Sequence, residues 1–194
     1  MSIMLRARIA AAAAIATVGV LVATLGGCDS SPPAPAAPSR LPIPAVALLP
    51  GEHALAARTV NDGNLAFTPL GLTCDIPSVI GTHGELNARG QYCRVTLEIY
   101  NRDVSFHTVS VGRQQLVDRT GRRYLPADDP MNIKRQPSSL SLGSQDRILL
   151  QVWFELPESA HAARICLHGD HEPSGLPINA PAPAAPNGRC IPLR

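Results

Sequence analysis

The sequence predicts an all-β protein built on one antiparallel β-sandwich, and three observations carry that prediction. From Cys93 to Ile99 apolar residues alternate with polar ones (Cys93, Val95, Leu97 and Ile99 against Arg94, Thr96 and Glu98), the period of a strand with one buried face. Ile148, Leu150, Val152 and Phe154 repeat the pattern against Gln151, Trp153 and Glu155. About seven such short segments are separated by Gly, Pro, Asn and Asp turns, with no helical period between them.

Taken in order, the chain opens with Arg6 and Arg8 and an uncharged Ala/Val/Leu-rich run from Ile9 to Leu25, which ends in Leu25-Gly26-Gly27-Cys28. A charged start, an apolar stretch at the short edge of what spans a bilayer and small residues at the end make a secretory signal. Leu-Gly-Gly-Cys resembles the lipobox of bacterial lipoproteins, and the resemblance implies that Cys28 is acylated and becomes the mature N-terminus. Each buried methylene of an acyl chain contributes about 0.8 kcal/mol to membrane binding, so multiple chains hold firmly. Cleavage removes two arginines and no acid, taking the formal charge of +2 to zero. Lys134 is the single lysine and the arginines are scattered along the sequence, so no basic stripe argues for nucleic acid, and no nucleic-acid partner is expected.

Residues 28–60 form the lipidated cysteine and a Pro/Ala-rich tether, with seven prolines between Asp29 and Pro50 and nothing periodic. Such chain is a semi-extended spacer. His53 to Val60, richer in Ala and Leu, is read as a short helical turn. The folded domain is placed at residues 61–178, the usual size of one domain, and residues 179–194 form a Pro/Ala-rich tail.

Within the domain, Asp62-Gly63 makes a turn and Leu65 and Phe67 alternate as in a strand. The inward phase then moves to Leu70, Leu72 and Cys74, and a pattern that slips by one at Thr68-Pro69 implies a bulge. Ile76 to Leu86 reads as a loop with a short strand near Val79-Ile80. After the central strand come a turn at Asn101-Arg102-Asp103, strands at Phe106 to Val111 and Gln114 to Asp118, and a turn at Asp118-Arg119-Thr120-Gly121. The next strand starts at Arg123. Pro126 to Pro137 reads as the longest irregular connection, and Ile165 and Leu167 close the series.

The order and spacing of Gly90-Gln91-Tyr92-Cys93, Gln115-Leu116-Val117-Asp118, Gly121-Arg122, Tyr124, Gly143, Val152-Trp153-Phe154-Glu155-Leu156-Pro157 and Leu167-His168 resemble the domain of unknown function numbered 4352 (DUF4352). The resemblance runs from about Asn61 to Leu176. It implies a telokin-like immunoglobulin-like sandwich, related in fold to a mycobacterial secreted antigen, on a lipoprotein at the outer face of the cytoplasmic membrane. It brings no catalytic mechanism.

Apart from Cys28 there are four cysteines, and an even number in an exported chain reads as two disulfides. Cys74 is in phase with Leu70 and Leu72, and Cys93 with Val95, Leu97 and Ile99, so the two point inward and are paired. Cys166 lies between Ile165 and Leu167 and points outward, which leaves Cys190 as its partner and makes that bridge a surface staple for the tail.

His168, Asp170, His171 and Glu172 place four metal-ligand side chains within five residues, a donor set that suits zinc or copper; a polar loop after the last strand explains the same letters. Asp128, Asp129 and Asn132 lack the alternating spacing of a calcium loop and read as a solvated turn. No serine sits in a Gly-x-Ser-x-Gly elbow. Tyr92 and Trp153 fall on the polar faces of their strands, and pack under a loop or form a contact surface. The reading is a membrane-anchored, non-catalytic module without a cofactor, which binds a cell-surface protein or glycan. The alternative is a metal-binding accessory lipoprotein using His168 to Glu172.

Overall fold

A computed structural model describes residues 47–82, 84–171 and 188–193. Cys28, the signal, most of the tether and Glu172 lie outside them. In chain order the strands are β1 (His53–Ala54), β2 (Val60–Asp62), β3 (Leu65–Gly81), β4 (Gly84–Asn101), β5 (His107–Ser110), β6 (Gln115–Asp118), β7 (Arg123–Tyr124), β8 (Ser139–Leu142), β9 (Arg147–Leu156), β10 (Ala162–Leu167) and β11 (Arg189–Pro192). Among the described residues one α-helix, α1 (Asp128–Ile133), lies between β7 and β8, and a short 3-10 turn (Val111–Arg113) lies between β5 and β6. All strand pairs are antiparallel: one sheet runs β1-β3-β4-β9 with β2 also on β3, a second runs β11-β10-β6-β7, and β5 pairs with β8. This is an all-β, immunoglobulin-like sandwich.

The core follows from the alternation. Cys93, Val95, Leu97 and Ile99 on β4 are sealed from solvent, with Leu65 and Phe67 from β3 and Val152, Phe154 and Leu156 from β9. Leu116, Tyr124, Ile165, Leu167 and Ile191 face them from the second sheet in one hydrophobic cluster. Each large side chain buried this way contributes about 1.5–3 kcal/mol. The ladder between β3 and β4 slips between Pro69 and Gly71, where the sequence phase slips.

Disulfides join Cys74 to Cys93 and Cys166 to Cys190. Cys74 lies in a second irregularity of the hairpin, between Thr73 and Ile76, where Asp75 has φ of 57° and its amide donates to Gln91 Oε1 at 2.9 Å. Cys166 and Cys190 are direct cross-strand partners on β10 and β11.

Five features depart from the sequence reading. Residues 53–60 are not helical; the edge of β3 recruits His53, Ala54 and Val60 as strand, and Leu55 N donates to Leu70 O at 2.9 Å. The Ile76 to Leu86 loop is instead the end of the β3–β4 hairpin, with Ser78, Val79 and Ile80 opposite Asn87, Leu86 and Glu85. Val79 is buried there, and α1 packs on β3. The irregular connection contains α1, six residues being too few to show a period. Pro130 sits in its first turn, where a missing N–H costs nothing, and Asp128 and Asp129 face the positive end of the helix dipole. Strands also lie outside 61–178, β1 before it and β11 after it. Finally, the tail supplies a strand: β11 pairs with β10 over four residues and buries Ile191 in the core, while Cys166, outward in phase, is only 1 % exposed.

Candidate functional site

Chemistry-bearing side chains gather at the end of the sandwich where β2, the 102–106 turn, β5 and the segment after β10 meet. His107, 3 % exposed, is their centre. Its Nε2 lies 3.0 Å from Asp103 Oδ2 and its Nδ1 3.1 Å from Asp170 Oδ2, with the Asn64 amide nitrogen 3.4 Å from Nδ1. Asp170 Oδ2 also accepts the Thr108 amide at 2.9 Å, and its carbonyl accepts the Asn64 amide at 2.8 Å.

Asp62, 1 % exposed and at the end of β2, forms the second centre. Its Oδ2 accepts the Gly169 amide at 2.8 Å and stands 3.2 Å from His171 Nε2, while Oδ1 faces Arg189 Nε at 3.8 Å. The approach is close enough that a Cβ added to Gly169 would overlap the Asp62 carbonyl oxygen, and one on Gly63 the Asp170 carbonyl oxygen. Asn101, fully buried, locks the neighbouring turn by donating from Nδ2 to the carbonyls of Ser105 (2.7 Å), Leu142 (3.1 Å) and Gly143 (2.7 Å). Together these bonds tie the first sheet to the segment after β10 of the second across one end of the sandwich.

His168, Asp170 and His171 are therefore drawn apart. His168 has its amide and carbonyl bonded to the Gln114 side chain, and its Nε2 is buried against Gly188 with no hydrogen-bond partner. Burial, and then the charge of Arg113, push the His168 imidazole below its ordinary range, with Asp62 opposing. Asp170 turns to His107 and His171 to Asp62, while Glu172 lies outside the described residues. Among the described residues no group of three or more His, Cys, Asp or Glu is arranged to hold a metal ion. Asp128, Asp129 and Asn132 are exposed on α1.

Neither aromatic forms a contact surface. Trp153 is 3 % exposed beneath α1, its amide 3.4 Å from Met131 Sδ and its ring facing Arg94 (5.5 Å) and Lys134 (6.0 Å). Tyr92 is buried, which together with Glu155 raises its phenol above the usual range. Sequence reasoning missed Asp62, Asn64, Asp103 and His107, because the 62–64 and 103–107 segments and their partner Asp170 are far apart along the chain and none carries a motif. The alternation of His107 with Val109 was the one available signal that this imidazole points inward.

No family model matches the chain, and no curated protein matches it. Solved structures similar to it include the yjhA protein of Bacillus subtilis, at 13 % identity over 59 % of this chain and 81 % of that one, with a TM-score of 0.45. A conserved hypothetical protein of Bacillus anthracis is similar at 12 % identity over 62 % and 92 %, with a TM-score of 0.44. The secreted protein MPT63 of Mycobacterium tuberculosis is similar at 14 % identity over 64 % and 90 %, with a TM-score of 0.35. Among the described residues no helix is long and apolar enough to cross a membrane.

Proposed function

We propose that the chain is an extracytoplasmic lipoprotein of the DUF4352 kind, acylated on Cys28 and held at the outer face of the cytoplasmic membrane. Its sandwich acts there as a non-catalytic binding module for a cell-surface protein or glycan. The observation that carries the compartment is the pairing of all four remaining cysteines into two disulfides, which persist in an oxidising environment. Binding is favoured over catalysis by how the titratable side chains are used: His107, Asp103, Asp170, Asp62 and His171 bond to one another, and His107 is sealed from any substrate.

Mass spectrometry of the membrane fraction tests the anchor, with a cleaved, acylated Cys28 expected. An intact N-terminus, or a Cys28→Ala protein located like wild type, rejects it. Crosslinking on intact cells followed by capture through the domain tests the module, and a specific partner absent from an unrelated sandwich control is expected.

A further inference from the structure

The mature chain is neutral and its arginines look scattered in sequence, yet the second sheet concentrates them. Arg119, Arg122 and Arg123 crowd the β6–β7 turn, and Arg164 on β10 lies directly across from Val117 on β6, which lies across from Arg123 on β7. Arg164 and Arg123 thus share one face, two strands or about 10 Å apart. Arg119 is the first residue of the turn after β6, and its amide donates to the His161 carbonyl at 3.0 Å. Arg123 donates to Gln115 Oε1 at 2.5 Å and Arg122 lies over the Tyr124 ring. Arg119 and Arg164, both exposed, have no carboxylate partner among the described residues.

These two arginines line a cleft of about 470 Å³ whose other walls are Asp118, Ala162, Ala163, Pro192 and Leu193. The β10–β6 register slips between Ala162 and Arg164, a bulge that lies in the lining of this cleft. The Asp118 carboxylate offers little to a cation there. Its Oδ1 accepts from the Thr120 amide (2.8 Å), the Thr120 hydroxyl (2.7 Å) and the Arg122 amide (2.9 Å), and its Oδ2 from the Tyr124 hydroxyl (2.8 Å). What remains is a cleft lined by Ala162 and Ala163 with one arginine from β10 and one from the turn after β6.

We propose that this cleft binds a phosphate group through Arg119 and Arg164. One guanidinium fork satisfies the two oxygens of a carboxylate, whereas two forks call for the several oxygens of a phosphate. The assignment rests on the binding-module reading and gives it a ligand class. It is tested on the folded protein in solution, so it can fail while capture from cells still yields a partner.

The experiment is an amide-resolved NMR titration of the mature chain with inorganic phosphate at low ionic strength, with acetate in parallel. Saturable shifts at Arg119, Ala163, Arg164 and Leu193 are expected for phosphate, weakening as salt is added. The Arg119→Gln/Arg164→Gln variant, whose replaced side chains are exposed and whose thermal melt should match wild type, is expected to bind phosphate at least about tenfold more weakly, the factor set by about 1.4 kcal/mol. Co-sedimentation with phosphatidylglycerol against phosphatidylcholine vesicles separates the sources. Arginine-dependent binding to the former alone assigns a lipid headgroup, and phosphate binding without it assigns a soluble phosphate. Shifts that do not saturate, acetate binding as tightly as phosphate, or an unchanged affinity in the double variant overturns the proposal.

Discussion

Removing the Cys166–Cys190 disulfide should cost the fold as much as removing Cys74–Cys93. The two bridges close loops with sequence separations of 24 and 19, for which the chain-entropy relation gives about 3 kcal/mol each. Had Cys190 merely stapled a tail to the surface, its loss would free that tail and leave the core intact. But β11 supplies four residues to the second sheet, Leu193 N donates to Ala163 O at 3.0 Å, and Ile191 is in the core. If β11 leaves, Ile191 forfeits a further ~1.5–3 kcal/mol of burial. Alanine is the right replacement at all four positions, because Cys93 and Cys166 are buried and a serine hydroxyl there adds its own desolvation cost. Urea melts of Cys74→Ala/Cys93→Ala and Cys166→Ala/Cys190→Ala, followed by the fluorescence of the single tryptophan, measure both losses. A Cys166/Cys190 variant within about 1 kcal/mol of wild type, against typical native-disulfide losses of 2–5 kcal/mol, would refute the argument that β11 is an integral strand.

Other consequences are separable from this one. Because the His168 pKa is lowered in the folded state, its contribution is intact above the unfolded value near 6.5 and falls as pH drops below it; melts from pH 8 to 5 should decline less steeply in His168→Gln than in wild type. Asp118, held at about 2 by Thr120 and Tyr124 against the opposing effect of burial, keeps its contribution above the unfolded value of 3.8 and loses it only as pH falls through about 2. Asp118→Asn should accordingly lower the thermal midpoint at pH 7, with amides at Thr120 and Arg122 exchanging faster. Gly169→Ala should destabilise by about 1–3 kcal/mol in the same urea assay, since its Cβ meets the Asp62 backbone rather than a flexible side chain. Trp153 should emit at short wavelength and resist acrylamide quenching, and Met131→Ala should relax both by thinning the cover that α1 provides.

The immunoglobulin-like class, the central strand and the β3 bulge were legible because each is a local matter: a period of two puts every second side chain of β4 or β9 inside, and a slip in that period has to appear as an irregular ladder. Strand phase was informative for Cys74 and Cys93 for the same reason. Phase says which side of a sheet a residue faces and nothing about what covers that side, so Cys166 and Trp153 read as outward although β11 and α1 bury them. The edge strands β1 and β11 carry no pattern of their own; they are strands because β3 and β10 offer unpaired backbone groups that low-propensity chain can satisfy. The same distinction governs the ionisable groups. His168, Asp170 and His171 are neighbours in sequence, but strand alternation and the turn after β10 send them to Gly188, His107 and Asp62. Asp103 meets His107 locally, but Asp170 reaches His107 and His171 reaches Asp62 only when the sheets close on one another, and Arg119 and Arg164 come to line one cleft only in the folded sheet. Composition and period determined the fold class; which charges meet was decided by packing, because pairing across sheets depends on distances that no local pattern encodes.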